Sequence, residues 1–144
     1  MGPVNIEGSS IRVLVVDDYE PFCRFVCSML GKRPALQIVG EASDGVAAVR
    51  QAEELKPDLI LLDVGLPMLN GLQAAREIRK LSPDSKIIFV SQESSPDVVQ
   101  EALSLGARGY VLKTRAASDL LAAVDAVLEG RHFVSVGLSI QNLN

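Results

Sequence analysis

The chain has 144 residues, 48% of them apolar and 22% charged, which is enough apolar material for one folded domain and too much for a disordered chain. Its net charge of −4 and sequence pI of about 5.0 argue against a protein that grips a phosphate backbone by itself. No apolar run approaches the ~20 residues of a membrane span. The opening MGPVNIEGSS lacks the basic and apolar regions of a signal peptide, so residues 1–10 are expected to be a flexible tail and the location cytoplasmic, with no membrane partner.

Five apolar runs follow one another along the chain: IRVLVV (11–16), LQIVG (36–40), DLILL (58–62), KIIFV (86–90) and GYVL (109–112). Most of them do not alternate apolar with polar residues, as expected of strands buried on both faces of a parallel sheet. Helical spacing fills the intervals. Phe22, Phe25, Val26, Met29 and Leu30 mark a helix over 20–31 that stops at Gly31. Residues 44–55 form a second helix, blocked by Pro57. Residues 70–81 form a third, with Asn70 as cap. Val98, Val99, Ala102 and Leu103 mark a fourth over 96–105, ahead of Gly106. Leu120, Leu121, Val124, Val127 and Leu128 mark a fifth over 116–129, ahead of Gly130. Strict alternation, (βα) five times, predicts right-handed crossovers and a three-layer α/β domain over 11–130 with a doubly wound parallel sheet. Residues 131–144, RHFVSVGLSIQNLN, show no clear period and are expected to be a linker or tail.

Cys23 and Cys27 lie four apart in a helical pattern, and the chain has a single histidine. The expectation is two small buried thiols kept reduced, not a zinc site.

The residues at the strand ends carry the chemistry. Asp17 and Asp18 follow the first strand, Asp63 the third, Ser91 the fourth and Lys113 the fifth. In open parallel sheets the carboxyl ends of the strands line the ligand crevice. Taken singly, each residue has an ordinary reading. Asp17 and Asp18 fit a helix cap, Asp63 a turn before Val-Gly-Leu-Pro, Ser91 a loop hydroxyl and Lys113 a solvated charge. Four strands of five ending in a polar group is what sets the set apart. Clustered carboxylates repel one another unless a cation sits among them. Oxygen ligation without His or Cys suits Mg²⁺, which keeps waters and takes a phosphate oxygen to complete its shell. Lys113 is placed to neutralise a second phosphate oxygen and Ser91 to donate to a third. An ionised carboxylate can then act as nucleophile toward phosphorus and form an aspartyl phosphate.

The motifs VLVVDD, PDLILLDVGLPMLNG, IIFVS and GARGYVLK resemble those of bacterial response-regulator receiver domains, the CheY-like, flavodoxin-like fold. The resemblance spans roughly residues 11–130 in order and spacing. It implies strand order 2-1-3-4-5, with the acidic loops flanking the switch point between the first and third strands. It implies that Asp63 receives a phosphoryl group from the phosphohistidine of a sensor histidine kinase. It also implies Mg²⁺ held by Asp17, Asp18, Asp63 and the backbone carbonyl of Gly65, with Ser91 as the switch hydroxyl. Lys113 would be the phosphate-pairing lysine and Tyr110 the aromatic switch. Phosphorylation would then shift the surface of the fourth helix, fifth strand and fifth helix. The segment LEGRHFVS is similar to the connector in LuxR-type transcription regulators, which implies DNA binding only through an output domain not in this chain. Whether the chain pairs with a second copy as a homodimer stays open.

Three positions depart from the family pattern. Gln92 stands where a small residue is usual, and Gly65 where a side chain is usual. Both predict an altered phosphoryl lifetime of unassigned sign. Thr114 replaces the common proline after the lysine. A cis bond there would cost about 2.5–4 kcal/mol, so the bond is expected to be trans. Other classes fit less well. An aspartyl-phosphate phosphatase wants a second acid where Gly65 stands, so no metabolic turnover is expected. A stand-alone or pseudo-receiver that binds without phosphorylation is disfavoured by the full acidic set. A flavodoxin-like cofactor binder would need a phosphate-cradling loop.

Overall fold

A computed structural model describes residues 10–135. The expected tail over residues 1–9 and the end of the expected linker, 136–144, lie outside the described residues. Within them β1 (Ile11–Val16), α1 (Glu20–Leu30), β2 (Leu36–Ala42), α2 (Gly45–Leu55), β3 (Leu59–Leu62) and α3 (Gly71–Leu81) come first. Then follow β4 (Lys86–Ser91), α4 (Pro96–Ser104), β5 (Gly109–Leu112), a 3₁₀ turn (Lys113–Arg115), α5 (Ala116–Leu128) and β6 (Phe133–Val134). All strand pairs are parallel, in the order β2-β1-β3-β4-β5-β6. No helix among the described residues is long and apolar enough to cross a membrane.

The apolar runs behave as strands clothed on both faces. Leu14, Val16, Ile60, Leu62, Ile87, Phe89 and Tyr110 pack against α2, α3 and α4. Val13, Val15, Leu59, Leu61, Ile88, Val90 and Val111 pack against α1 and α5. Strand side chains alternate between faces, so near-continuous apolar runs are what two covered faces require.

Local chemistry sets the helix starts. The Asp44 carboxylate accepts from Ala47 N at 2.7 Å. Asn70 and Gln73 form a reciprocal capping box at 2.9 and 3.0 Å. Pro21 and Pro96 occupy first-turn positions, where a missing N–H costs nothing. α2 ends at Leu55, one residue before Lys56 takes φ 47° and two before Pro57.

The structure adds one strand to the expected five. Phe133 and Val134, placed in the linker on sequence, pair in parallel with Gly109 and Tyr110 of β5. The anchor is Ser135, whose hydroxyl donates to Asp119 Oδ2 at 2.8 Å and accepts from Leu112 N at 3.1 Å. Arg115 and Ser118 also donate to the buried Asp119 carboxylate, each at 3.0 Å. A two-residue strand has no readable period, and its partners lie on α5 and β5.

Candidate functional site

β1 lies between β2 and β3, and both ladders continue one residue beyond the strands. Asp63 N donates to Val16 O of β1 at 3.1 Å, and Asp17 N to Ala42 O of β2 at 3.0 Å. Adjacent strands therefore carry Asp17 and Asp63 to one rim, at the point where the strand order reverses. Both are buried, whereas Asp18 is exposed. Carboxylate oxygens of Asp17, Asp18 and Asp63 lie within 4.8 Å of one another. The apolar run ending in Asp63 thus delivers a charge to a shared rim.

Lys113, at the start of the 3₁₀ turn after β5, reaches into the same place. Its Nζ is 2.8 Å from Asp17 Oδ2 and 3.0 Å from Asp63 Oδ2, with only 11% of the side chain exposed. The Phe22 ring of α1 lies under the ammonium, 4.6 Å from Nζ to its centroid, which favours the charged form as well. Burial works against that charge, yet the bonds to Asp17 and Asp63 prevail and hold the Lys113 pKa above its ordinary value. Asp17 is also pushed up. Burial is the largest cause, opposed by the bonds from Lys113 and from Tyr19 N–H, and reinforced by the charge of Asp63.

Formally, three carboxylates and one ammonium leave a charge of −2. An all-oxygen donor set with that excess fits a hard divalent cation. Gly65, two residues beyond Asp63, donates its N–H to Asp63 Oδ1 at 3.3 Å. A Cβ built on Gly65 would meet nothing within 4 Å, so a side chain there would have room.

Ser91 closes β4 and is buried on the rim, but its hydroxyl is engaged locally, accepting from Glu93 N at 3.1 Å. Tyr110 is fully buried, and its hydroxyl donates to Glu93 O at 2.7 Å. The two expected switch residues thus hold the backbone N–H and C=O of one residue of the β4–α4 loop, Glu93, between them. Burial, slightly relieved by Ser91, pushes the Tyr110 phenol up to about 12, so it stays a donor throughout the neutral range. Gln92 is exposed and lines a shallow recess with Tyr19, Phe22, Lys113 and Thr114. No peptide bond among the described residues is cis, as expected before Thr114.

Sequence reading missed two supports of this pocket. One is the Phe22 ring under Lys113. The other is Gly71, the first residue of α3. A Cβ there would lie 2.0 Å from Asp63 O and 2.8 Å from Val64 Cα, so only glycine lets α3 approach the backbone that carries Asp63. The Asn-Gly pair at the helix start was the available signal, and it reads equally as a cap.

Fold and pocket together define an α/β domain with an acidic, cation-seeking site at the topological switch point of its sheet. A family model for the response regulator receiver domain matches residues 13–125. The chain belongs to that family, and it is a receiver domain of the type found in LuxR and NarL response regulators. It is 34% identical over 131 residues to the response regulator GacA of Pseudomonas viridiflava, covering 91% of this chain and 61% of that protein. It is 37% identical over 120 residues to the transcriptional regulatory protein LiaR of Bacillus subtilis, covering 83% of this chain and 57% of the relative. The crystal structure of a LuxR-family two-component response regulator from Aurantimonas sp. SI85-9A1 matches with TM-score 0.85 at 30% identity, over 90% of this chain and 93% of that one. The signal receiver domain of NarL from Mycobacterium tuberculosis matches with TM-score 0.80 at 32% identity, over 85% and 99%. The chain therefore spans less than two thirds of the full-length regulators GacA and LiaR.

Proposed function

We propose that Asp63 is the phosphoacceptor of this receiver, taking a phosphoryl group from a sensor histidine kinase with Mg²⁺ at the acidic pocket. The observation that carries this reading is the convergence of Asp17, Asp18, Asp63 and Lys113 on one rim. In the transfer, the P–N bond of the phosphohistidine breaks, an Asp63 oxygen forms the new P–O bond, and the departing imidazole takes up a proton. Asp17, Asp18, Asp63 and the Gly65 carbonyl are the groups that would hold Mg²⁺, which when bound neutralises charge on the phosphoryl oxygens. The chain's own residues do the rest. Lys113 moves from the Asp63 carboxylate to a phosphoryl oxygen, a short step for a side chain anchored on Phe22. Phosphorylation adds about −1.5 to −2 of charge and three acceptors. Ser91 turns its hydroxyl to one of them, Glu93 N–H loses its acceptor, and the loop pinned by Tyr110 moves. The signal is a shift between two packings of the β4–α4 loop.

The name of the relative LiaR, a transcriptional regulatory protein, extends the reading to transcription, carried out by the parent protein through an output domain beyond this chain. No metabolic turnover is proposed, since Gly65 places no acid two positions beyond Asp63.

The test is mass spectrometry of the protein after acetyl phosphate, with and without Mg²⁺, paired with sizing of both forms. One Mg²⁺-dependent phosphoryl adduct is expected, absent from Asp63→Asn. Label persisting on that variant refutes the acceptor assignment.

A further inference from the structure

Cys23 and Cys27 stand one helical turn apart on α1, facing the edge strand β2. That strand contains an irregularity. Val13 pairs with Ile38 but Leu14 pairs with Gly40, so Val39 is one residue more than β1 supplies. An extra residue reverses the side-chain parity beyond it. Leu36 and Ile38 pack on the α1–α5 face, and regular alternation would put residue 40 on that face too. Instead a Cβ on Gly40 would meet Gln51 and Leu55 of α2, and Glu41 is turned toward α1. Its Oε1 lies 3.5 Å from Cys23 Sγ and its Oε2 3.6 Å from Cys27 Sγ. Ligating atoms of all three residues fall within 4.8 Å of one another.

We propose that Cys23, Cys27 and Glu41 form a Zn²⁺ site that fastens α1 to β2, with water in the fourth position. Tetrahedral zinc with Zn–S of about 2.3 Å and Zn–O of about 2.0 Å sets sulfur and oxygen about 3.5 Å apart, the separation each carboxylate oxygen of Glu41 already keeps from one of the two sulfurs, so a small turn of the carboxylate brings one oxygen to serve both. Two thiolates with one carboxylate select zinc over magnesium. With both thiols ionised the ligands carry −3. Zn²⁺ reduces this to −1, and the remainder faces the Arg24 guanidinium, which already bonds Glu41 and lies 3.6 Å from Cys23 Sγ. Arg24 has a second anchor, Glu20 at 3.1 Å, so it can yield a Glu41 oxygen without losing its ion pair. Cys27 is half-buried and Glu41 exposed, which opens a path for the ion, while buried Cys23 closes the inner side. Both thiol protons leave to solvent on binding. Burial, reinforced by the nearby Glu41 charge, pushes Cys27 up to about 12. Cys23 moves the same way, from burial first. Capture therefore strengthens steeply with pH. The site stands apart from the acidic pocket and does not depend on the phosphoacceptor reading.

The test is titration of the reduced, chelator-stripped chain with Co²⁺ and then Zn²⁺, followed by absorbance and proton release. One equivalent of Co²⁺ should give a thiolate charge-transfer band with tetrahedral ligand-field bands, releasing two protons and yielding to Zn²⁺. Cys27→Ser, at a half-buried position that keeps the core filled, should abolish the band. Glu41→Gln, on the surface, should weaken binding at least about tenfold, while Asp63→Asn keeps it. A missing thiolate band, a band indifferent to Cys27→Ser and Glu41→Gln, or binding lost only in Asp63→Asn overturns the proposal.

Discussion

Two groups of ligating side chains meet in this molecule, each around a resident cation. In the acidic pocket, oxygen donors surround Lys113, which is held by two buried carboxylates and the Phe22 ring. Between α1 and β2, two sulfurs and a carboxylate lie beside Arg24, whose side chain is 51% exposed. The difference separates two jobs for a positive charge. The Lys113 ammonium is desolvated and cannot leave without stranding buried carboxylates, so it belongs to the chemistry of the pocket. Arg24 is solvated and doubly anchored, so the proposed metal needs to displace only one of its bonds, that to Glu41.

The largest effect that would break this contrast is Lys113→Ala. Removing one preorganised charge from a phosphoryl site should slow acetyl-phosphate labelling about 10²-fold. Without divalent cation it should also lower the unfolding free energy by about 3 kcal/mol, because a buried ion pair loses one partner. Urea denaturation should recover part of that loss in Mg²⁺. Arg24→Ala, by contrast, should leave labelling intact. Equal losses from the two variants would erase the distinction between a buried and a solvated cation.

Gly71→Ala sharpens the dependence of the pocket on backbone position. Its methyl group must displace the Asp63 peptide or the whole of α3, and overpacking of this kind costs about 1–3 kcal/mol. Labelling should fall with stability even though no reacting group has changed. Thermal melting and labelling of the one variant check both, and an unshifted melt with full labelling would show that α3 is free to move.

A third, smaller effect, fully present at neutral pH, concerns Asp119, which ties β6 to α5. Burial alone would raise its pKa, but bonds from Arg115, Ser135 and Ser118 outweigh it and hold the carboxyl below its ordinary 3.8. A depressed folded pKa means stability that is present above 3.8 and lost as pH falls through the lower folded value. Asp119→Asn should therefore be less stable than wild type at pH 7, with the gap closing as acid titrates the native carboxylate. A gap constant down to acid pH would mean that Asp119 acts only by shape. Because Leu112 N bonds the same Ser135 hydroxyl, one residue from Lys113, the variant also asks whether β6 senses the pocket.

Much of the acidic pocket was legible in the sequence, because each contributor ends or follows an apolar run and parallel strands bring such ends together. Asp17, Asp63 and Lys113 needed no knowledge of side-chain direction. The cysteine cluster was not legible. Glu41 faces α1 only because Val39 breaks the alternation of β2. The same limit hid β6, whose hold is the long-range bond from Ser135 to Asp119, and Phe22, whose spacing reads as core while its face carries Lys113. Ser91 and Tyr110 were legible as residues, but their shared grip on Glu93 was not, since both bonds go to backbone atoms. Periodicity reports which face a residue takes on a regular element. It does not report a bulge, a methyl-free approach or a contact to a main-chain group.

The smallest effect lies at the mouth of the pocket. Gln92 is exposed, and with Tyr19, Phe22, Lys113 and Thr114 it lines a recess that reaches Lys113. Its amide makes no hydrogen bond among the described residues, so it screens the opening without positioning a group inside it. Gln92→Ala should speed hydrolysis of the aspartyl phosphate a few-fold, about 1 kcal/mol or less in barrier, with little change in labelling rate. On the other side of the pocket, a methyl group at Gly65 meets only open space, so Gly65→Ala should fold normally and slow hydrolysis by narrowing that approach. Dephosphorylation followed by mass spectrometry in the three proteins decides the point. Opposite shifts fit a pocket with two solvent approaches, whereas a slower Gln92→Ala would mean that the amide orients the attacking water and that screening is the wrong description.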